Sequence, residues 1–299
     1  MGFDGADRVE DEMAQVRLGI AGWVFDEWRG GAFYPEGLKQ KEELAFASRH
    51  LGTIEINSTF YSHQKAQSFR NWAAETPENF VFSVKGQQFV THIKRLKDVE
   101  LPLANFFASG VLALGRRLGP FCWQLPPNLK YDKARMEAFL SLLPKDRDAL
   151  LALASKNQGL KNEPFLDASD IGPVRHAIEV RHQSFANAEF VELMRAHNVA
   201  LVTADTAEWP TTDITADFIY CRLQGAPGRE QYEPAEIDSR ARWLDAWSKG
   251  EAPADASTIT PSSTGPARDV FAFFVSTDKK HAPRNAMAVM QKLAIAPPQ

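Results

Sequence analysis

The sequence predicts a parallel α/β fold, a TIM-like (β/α)8 barrel forming a single domain. Three observations predict it. Short β-rich runs alternate with longer amphipathic runs along the chain. The β-rich runs number about eight, the count that closes such a barrel. Polar residues collect at the carboxyl ends of those runs, on the face where barrels of this kind carry their sites. A length of 299 residues fits one such domain.

Taken in order, the chain opens with an acidic segment, residues 1–15 (MGFDGADRVEDEMAQ), where a signal peptide is basic and then apolar. It reads as a disordered tail, and the folded domain as 16–299. RLGIA (17–21) supplies the first strand, and the apolar spacing over 38–50 a helix. TIEIN (53–57) is the second strand. Side chains alternate across a strand, so Ile54 and Ile56 face the helices while Thr53, Glu55 and Asn57 face the barrel axis. In FVFSVK (80–85) the same parity turns Ser83 and Lys85 inward and Phe82 and Val84 outward. Over 98–117, Leu103, Phe106, Phe107, Val111 and Leu114 follow the i, i+3, i+4 rule and form a helix face that packs on the sheet.

PFCWQL (120–125) is the fourth strand, with Gln124 inward, and 145–175 is an excursion before the fifth, a flap or plain surface. HAIEV (176–180) directs Glu179 and then Arg181 inward. ALVTA (200–204) does so for Thr203 and Asp205, and DFIYCRL (217–223) for Tyr220 and Arg222. Residues 250–269 (GEAPADASTITPSSTGPARD) lack the apolar side chains that offset ordering entropy and read as a flexible connector. VFAFFV (270–275) is the last strand.

Composition narrows the function. Lysine plus arginine total 34 against 38 aspartate plus glutamate, 34 − 38 = −4, so no whole-protein positive field draws in nucleic acid. Nucleic acid is a disfavoured partner, a membrane is excluded for want of a long apolar run, and the cytoplasm is the expected location. The two cysteines, Cys122 and Cys221, sit inside apolar runs and are expected to be buried thiols rather than a disulfide framework.

Glu55 and Glu179, from different strands, form a candidate acid/base pair across the barrel, with Lys85 as a third catalytic candidate and Arg181 as a partner cation. Lys85 is alternatively a Schiff-base amine. The competing account is a self-satisfied ionic network that holds the core without any ligand. Arg181, Arg222 and the loop THIKRL, with His92, Lys94 and Arg95, concentrate positive charge at the mouth, which points to a small anionic partner, a phosphate or a carboxylate. Trp23, Asn57, Tyr61, Gln124, His182 and Asp205 complete the expected substrate-binding set, with Trp28 and Phe60 as further walls of a pocket or packing of the rim. The seven histidines show no HxH or HExxH spacing, and interior cations compete with a metal ion, so neither metal nor cofactor is expected. Nor do nucleotide-binding glycine motifs or a GxSxG elbow occur.

These residues fall within segments that closely resemble one family, the YecE-like proteins, known as domain of unknown function 72. The segments are GIAGW (19–23), WRGGAFYP (28–35), EINSTFY (55–61), FSVK (82–85), THIKRL (91–96), SGVLALG (109–115), QLPP (124–127), EVRHQSF (179–185), ADT (204–206), YCRLQG (220–225) and HAPRNA (281–286). The resemblance covers about residues 17 to 292 and implies a TIM-barrel-like fold with polar residues gathered at one mouth. It implies no settled activity. Where the family usually carries Phe-Asn-Asn after the last strand, this chain has Phe274, Val275 and Ser276 and lacks two amides able to bond a ligand.

The expected function is therefore an enzyme, a hydrolase, isomerase or lyase, acting on a small phosphorylated or sugar-like anion at the barrel mouth. The alternatives are a nuclease or repair-type protein, whose mouth takes a flipped nucleotide, and a non-catalytic sensor of a small anion.

Overall fold

Nine short strands, the longer of them rich in β-branched and aromatic residues, form one all-parallel sheet. They are β1 (Val16–Ala21), β2 (Thr53–Ile56), β3 (Val81–Lys85), β4 (Leu118–Gln124), β5 (His176–Glu179), β6 (Ala200–Leu201), β7 (Thr203–Ala204), β8 (Phe218–Leu223) and β9 (Asp269–Phe274). The structure is a computed structural model and describes residues 14–206, 211–225, 231–261, 264–275 and 279–298.

The order of neighbours is β6-β5-β4-β3-β2-β1-β9-β8-β7. β6 pairs with β5 and β7 with β8, and only Val202 separates β6 from β7 in the chain. The two sheet edges therefore meet on one stretch of polypeptide, and the sheet closes into a barrel. The eight strands expected from the sequence become nine because the sixth is interrupted there, where the Val202 N–H donates to the Ile178 carbonyl.

Two apolar cores follow from strand alternation. The outer core lies between the sheet and the helices: Leu18, Ile20, Ile54, Ile56, Phe82 and Val84 pack with Leu103, Phe106, Phe107, Val111 and Leu114 of the expected helical stripe. The inner core fills the barrel with Cys122, Ala177, Ala200, Val202, Phe218, Tyr220, Phe271 and Phe273. Both cysteines are free and buried.

The stretch expected as one helix over 98–117 is two, Glu100–Ala108 and a 3-10 segment Val111–Arg117. Gly110 breaks it, with φ at 136° and a virtual Cβ only 2.4 Å from the Ala66 nitrogen, a position only glycine fills. The 145–175 excursion starts as a helix, Arg147–Ala154, capped by Asp146 on the Ala149 N–H. Its later part lies along the barrel flank, with the Phe165 N–H on the Ala108 carbonyl and Arg70 over the Phe165 ring at 4.9 Å.

Of the acidic tail, residues 1–13 lie outside the described residues. Gln15 is already tied to β9, donating to Asp269 and accepting from the Val270 N–H, so it belongs with the sheet. Within 250–269, Thr260 is buried, and Asp213 takes hydrogen bonds from Ile259 N, Thr260 N and Thr260 Oγ1. That anchor ties Ile259 and Thr260 to Asp213 within a stretch whose composition alone suggests a free connector.

Candidate functional site

The carboxyl ends of the strands bring five charged side chains together. Strand register does this: Glu55 stands beside Ser83, Lys85 beside Cys122, and Gln124 beside Glu179. Gly86 lets the chain leave β3 against the Trp123 ring, which a Cβ there would meet at 2.1 Å.

Arg222 is the centre. Its Nη1 donates to Glu179 Oε2 at 2.5 Å and its Nη2 to Glu55 Oε1 at 3.1 Å. Gln124 Nε2 donates to Glu179 Oε2 at 2.7 Å, and Arg181 reaches Glu179 Oε1 through both Nε and Nη2, at 3.0 and 2.9 Å. Tyr220, whose hydroxyl lies 2.6 Å from Ser83 Oγ, donates to Glu55 Oε2 at 2.7 Å. Glu55 is 0% exposed and Glu179 2%.

This surrounding changes the role expected of the two glutamates. Burial alone raises the pKa of Glu179, but Arg222, Arg181, Gln124 and Lys85 outweigh it and hold the carboxyl down at about 2. A carboxylate held so low stays ionised at neutral pH. Both carboxylates spend their lone pairs on Arg222 and its neighbours, which suits holding that guanidinium in place better than exchanging protons.

Lys85 is different. Its residue is 9% exposed, and among the described residues its Nζ has no hydrogen bond or ion pair, only the face of Phe60 with the centroid at 4.7 Å. Burial lowers its pKa, and Arg222 lowers it further, against the opposing pull of Glu55 and Glu179. His92 meets the same Phe60 ring edge-on at 5.1 Å, and burial, with Lys85 and Arg181, lowers its pKa against the opposing pull of Glu179.

Above the cluster opens a hollow of about 300 Å³ lined by Lys85, Arg222, Asn57, Phe60, Tyr61, Phe25, Trp28 and Lys279, with Phe274 and Val275 at its edge. Arg222 Nε and Asn57 Oδ1 are buried and have no hydrogen-bond partner among the described residues. Lys279 Nζ lies 4.1 Å from the Phe25 ring centroid, and its carbonyl accepts from Trp28 Nε1 at 2.5 Å. With Lys85 protonated, Lys85, Arg181 and Arg222 against Glu55 and Glu179 leave +3 − 2 = +1, and Lys279 adds one more; with Lys85 neutral the five sum to zero and Lys279 supplies the positive charge.

Three expected binding residues stand elsewhere. Trp23 packs edge-on against Trp72 at 5.3 Å and against Phe82, in the outer core. His182 turns its Nδ1 to Ser184, accepting from the backbone N–H as a helix cap. Asp205 accepts from Gln224 N, Gly225 N and Tyr232 Oη and pairs with Arg240 at 3.4 Å. The reason is parity: Ala200 and Val202 face the interior, so Thr203 and Asp205 point toward the helices, opposite to the expectation. With Asp205 and His182 turned away, no group of three or more His, Cys, Asp or Glu side chains is set to hold a metal ion among the described residues.

Sequence reasoning missed Lys279 and Phe25. Lys279 sits in TDKK, a pattern that reads as solvated surface, and only its spacing just before HAPRNA marks it. Of the replaced amide pair, Val275 borders the hollow, while Ser276 lies outside the described residues.

The sequence profile described as "Protein of unknown function DUF72" matches residues 17–299. UPF0759 protein YunF of Bacillus subtilis is 31% identical over 157 residues, 51% of this chain and 54% of that protein. UPF0759 protein YecE of Escherichia coli K12 is 25% identical over 175 residues, 58% of this chain and 52% of that protein. The chain thus spans about half the length of the curated relatives it matches. Among solved structures, a DUF72 family protein of Thermotoga maritima superposes with a TM-score of 0.69 at 22% identity, covering 94% of this chain and 99% of that one. One from Enterococcus faecalis gives 0.61 at 16%, covering 94% and 98%. Those two likenesses are of fold. No helix among the described residues is long and apolar enough to cross a membrane.

Proposed function

Since the chain belongs to the DUF72 family, whose description assigns no chemistry, we propose a function from the barrel mouth alone: an enzyme that holds a small anionic substrate, a phosphate or carboxylate ester, acid or sugar derivative, in the hollow above Arg222. One observation carries this reading. A hollow of about 300 Å³, at the small end of ligand pockets, is walled by aromatic rings and lined by cations whose donors are not all taken.

The roles follow from the surroundings. Arg222, clamped by Glu55 and Glu179, is a rigid guanidinium that offers its remaining donors to an anion without losing rotamer entropy. Lys279 at the rim adds a further charge, and Asn57 Oδ1 accepts from a substrate hydroxyl. Lys85, its pKa lowered by burial and by Arg222 and its side chain facing the hollow, is the proton-transfer group in place of the glutamates.

Calorimetric titration with inorganic phosphate tests this. The wild type is expected to bind it, and Lys279→Ala to bind about fivefold more weakly, the factor that roughly 1 kcal/mol gives, with an unchanged unfolding midpoint. Absence of phosphate and carboxylate binding by the wild type removes the reading.

A further inference from the structure

We propose that Lys85 is a carbonyl-capturing amine, and that the substrate is a small aldehyde or ketone that also carries a carboxylate or phosphate. The inference rests on the anionic-substrate reading above and deepens it by naming the bond that forms.

Three independent features of the site converge on it. Lys85 Nζ is the one cation of the charged cluster with neither hydrogen bond nor ion pair among the described residues, although two carboxylates lie in the same cluster. Arg222 takes one oxygen from each of those carboxylates, and Arg181 takes another from Glu179, so the acceptors that normally hold a buried lysine as an ammonium ion are engaged elsewhere. The side chain instead lies over the face of Phe60 and borders a hollow with room for a compound of a few heavy atoms.

A lysine needed only for charge is better served by a carboxylate partner. A lysine left without one, beside the guanidinium that anchors an anion, is arranged for nucleophilic attack. Burial and the charge of Arg222 both favour its neutral form, which is the nucleophile.

The step balances without an oxidant or reductant. The Nζ lone pair forms a C–N bond to the carbonyl carbon while the C=O π pair moves to oxygen. The nitrogen then gives up its two protons, the oxygen leaves with them as water, and the nitrogen pair closes the C=N bond. Arg222 and Lys279 hold the substrate's anionic end. Protonated again at nitrogen by solvent, the imine becomes an iminium ion that accepts the electron pair of the adjacent C–H or C–C bond, the basis for isomerisation or cleavage.

The test is reductive trapping on the intact chain. Wild-type protein is incubated at neutral pH with pyruvate, and separately with glycolaldehyde phosphate, in the presence of cyanoborohydride, and the labelled lysine is found by peptide mass mapping. Lys85 is expected to label at least about tenfold faster than the exposed Lys161, the rate ratio that about 1.4 kcal/mol of barrier gives. Inorganic phosphate should slow labelling at Lys85 and leave Lys161 unchanged. The probe trapped faster tells a carboxylate-bearing from a phosphate-bearing substrate.

Labelling at equal rates on Lys85 and Lys161, while phosphate still binds, overturns the covalent step and leaves the anion site standing. Loss of both trapping and phosphate binding overturns the two together. The mapping reads the wild-type chain, so the outcome does not depend on whether Lys85→Met folds.

Discussion

Arg222 is the residue on which the mouth depends. It pairs with two buried carboxylates, Glu55, which has no other ion pair among the described residues, and Glu179, which it shares with Arg181. Arg222→Met is expected to lower stability by about 3–5 kcal/mol, the cost of breaking a buried pair from one side, read as a lower urea midpoint. Adding Glu179→Gln to that variant should recover part of the loss, because one stranded charge is gone. The same carboxyl sets an acid limit. Its pKa falls from 4.5 in the open chain to about 2 when folded, so its contribution is complete above the former and disappears as pH drops toward the latter. Between about pH 5 and pH 3 the wild type should lose more of its urea midpoint than Glu179→Gln, whose side chain has no proton to take up. Equal losses in the two proteins contradict the assignment.

At the scale of elements, β3 delivers Lys85 and depends on the glycine that follows it. Gly86→Ala drives a methyl into the Trp123 ring, which is itself buried, and is expected to cost about 1–3 kcal/mol. Slower trapping of Lys85 in that variant would follow from the shifted strand end. What sequence could reveal of these elements depended on how clearly each strand alternates. In TIEIN, FVFSVK and FIYCRL, charged or hydroxyl residues alternate with apolar ones, so Glu55, Lys85 and Arg222 were legible as neighbours of the axis. ALVTA is apolar at nearly every position and carries no parity of its own. Its direction is set by pairing on both sides of Val202, which is why Asp205 was misplaced. The role of the glutamates was hidden for another reason. Proximity of Glu55 and Glu179 was readable, but the sharing of one guanidinium between them depends on side-chain geometry that spacing does not encode.

On the scale of the whole molecule, charge is distributed against its sum. The chain carries a net −4, yet its mouth is locally positive. A site sensing the total would bind phosphate more tightly as salt screens the repulsion. A site sensing only its own cations loses affinity instead, since screening acts over about 10 Å at 0.1 M. Phosphate affinity is therefore expected to fall as sodium chloride rises, and titration at two salt concentrations reads the sign directly. The three-way sharing centred on Arg222 also constrains how such a barrel diverges over time. Its members come from β2, β5 and β8, three strands distant in sequence, so a lineage that loses the arginine keeps a working fold only by shedding an acid in the same step. Substitutions in this layer should accordingly arrive in matched sets, leaving the surrounding loops free to drift one residue at a time.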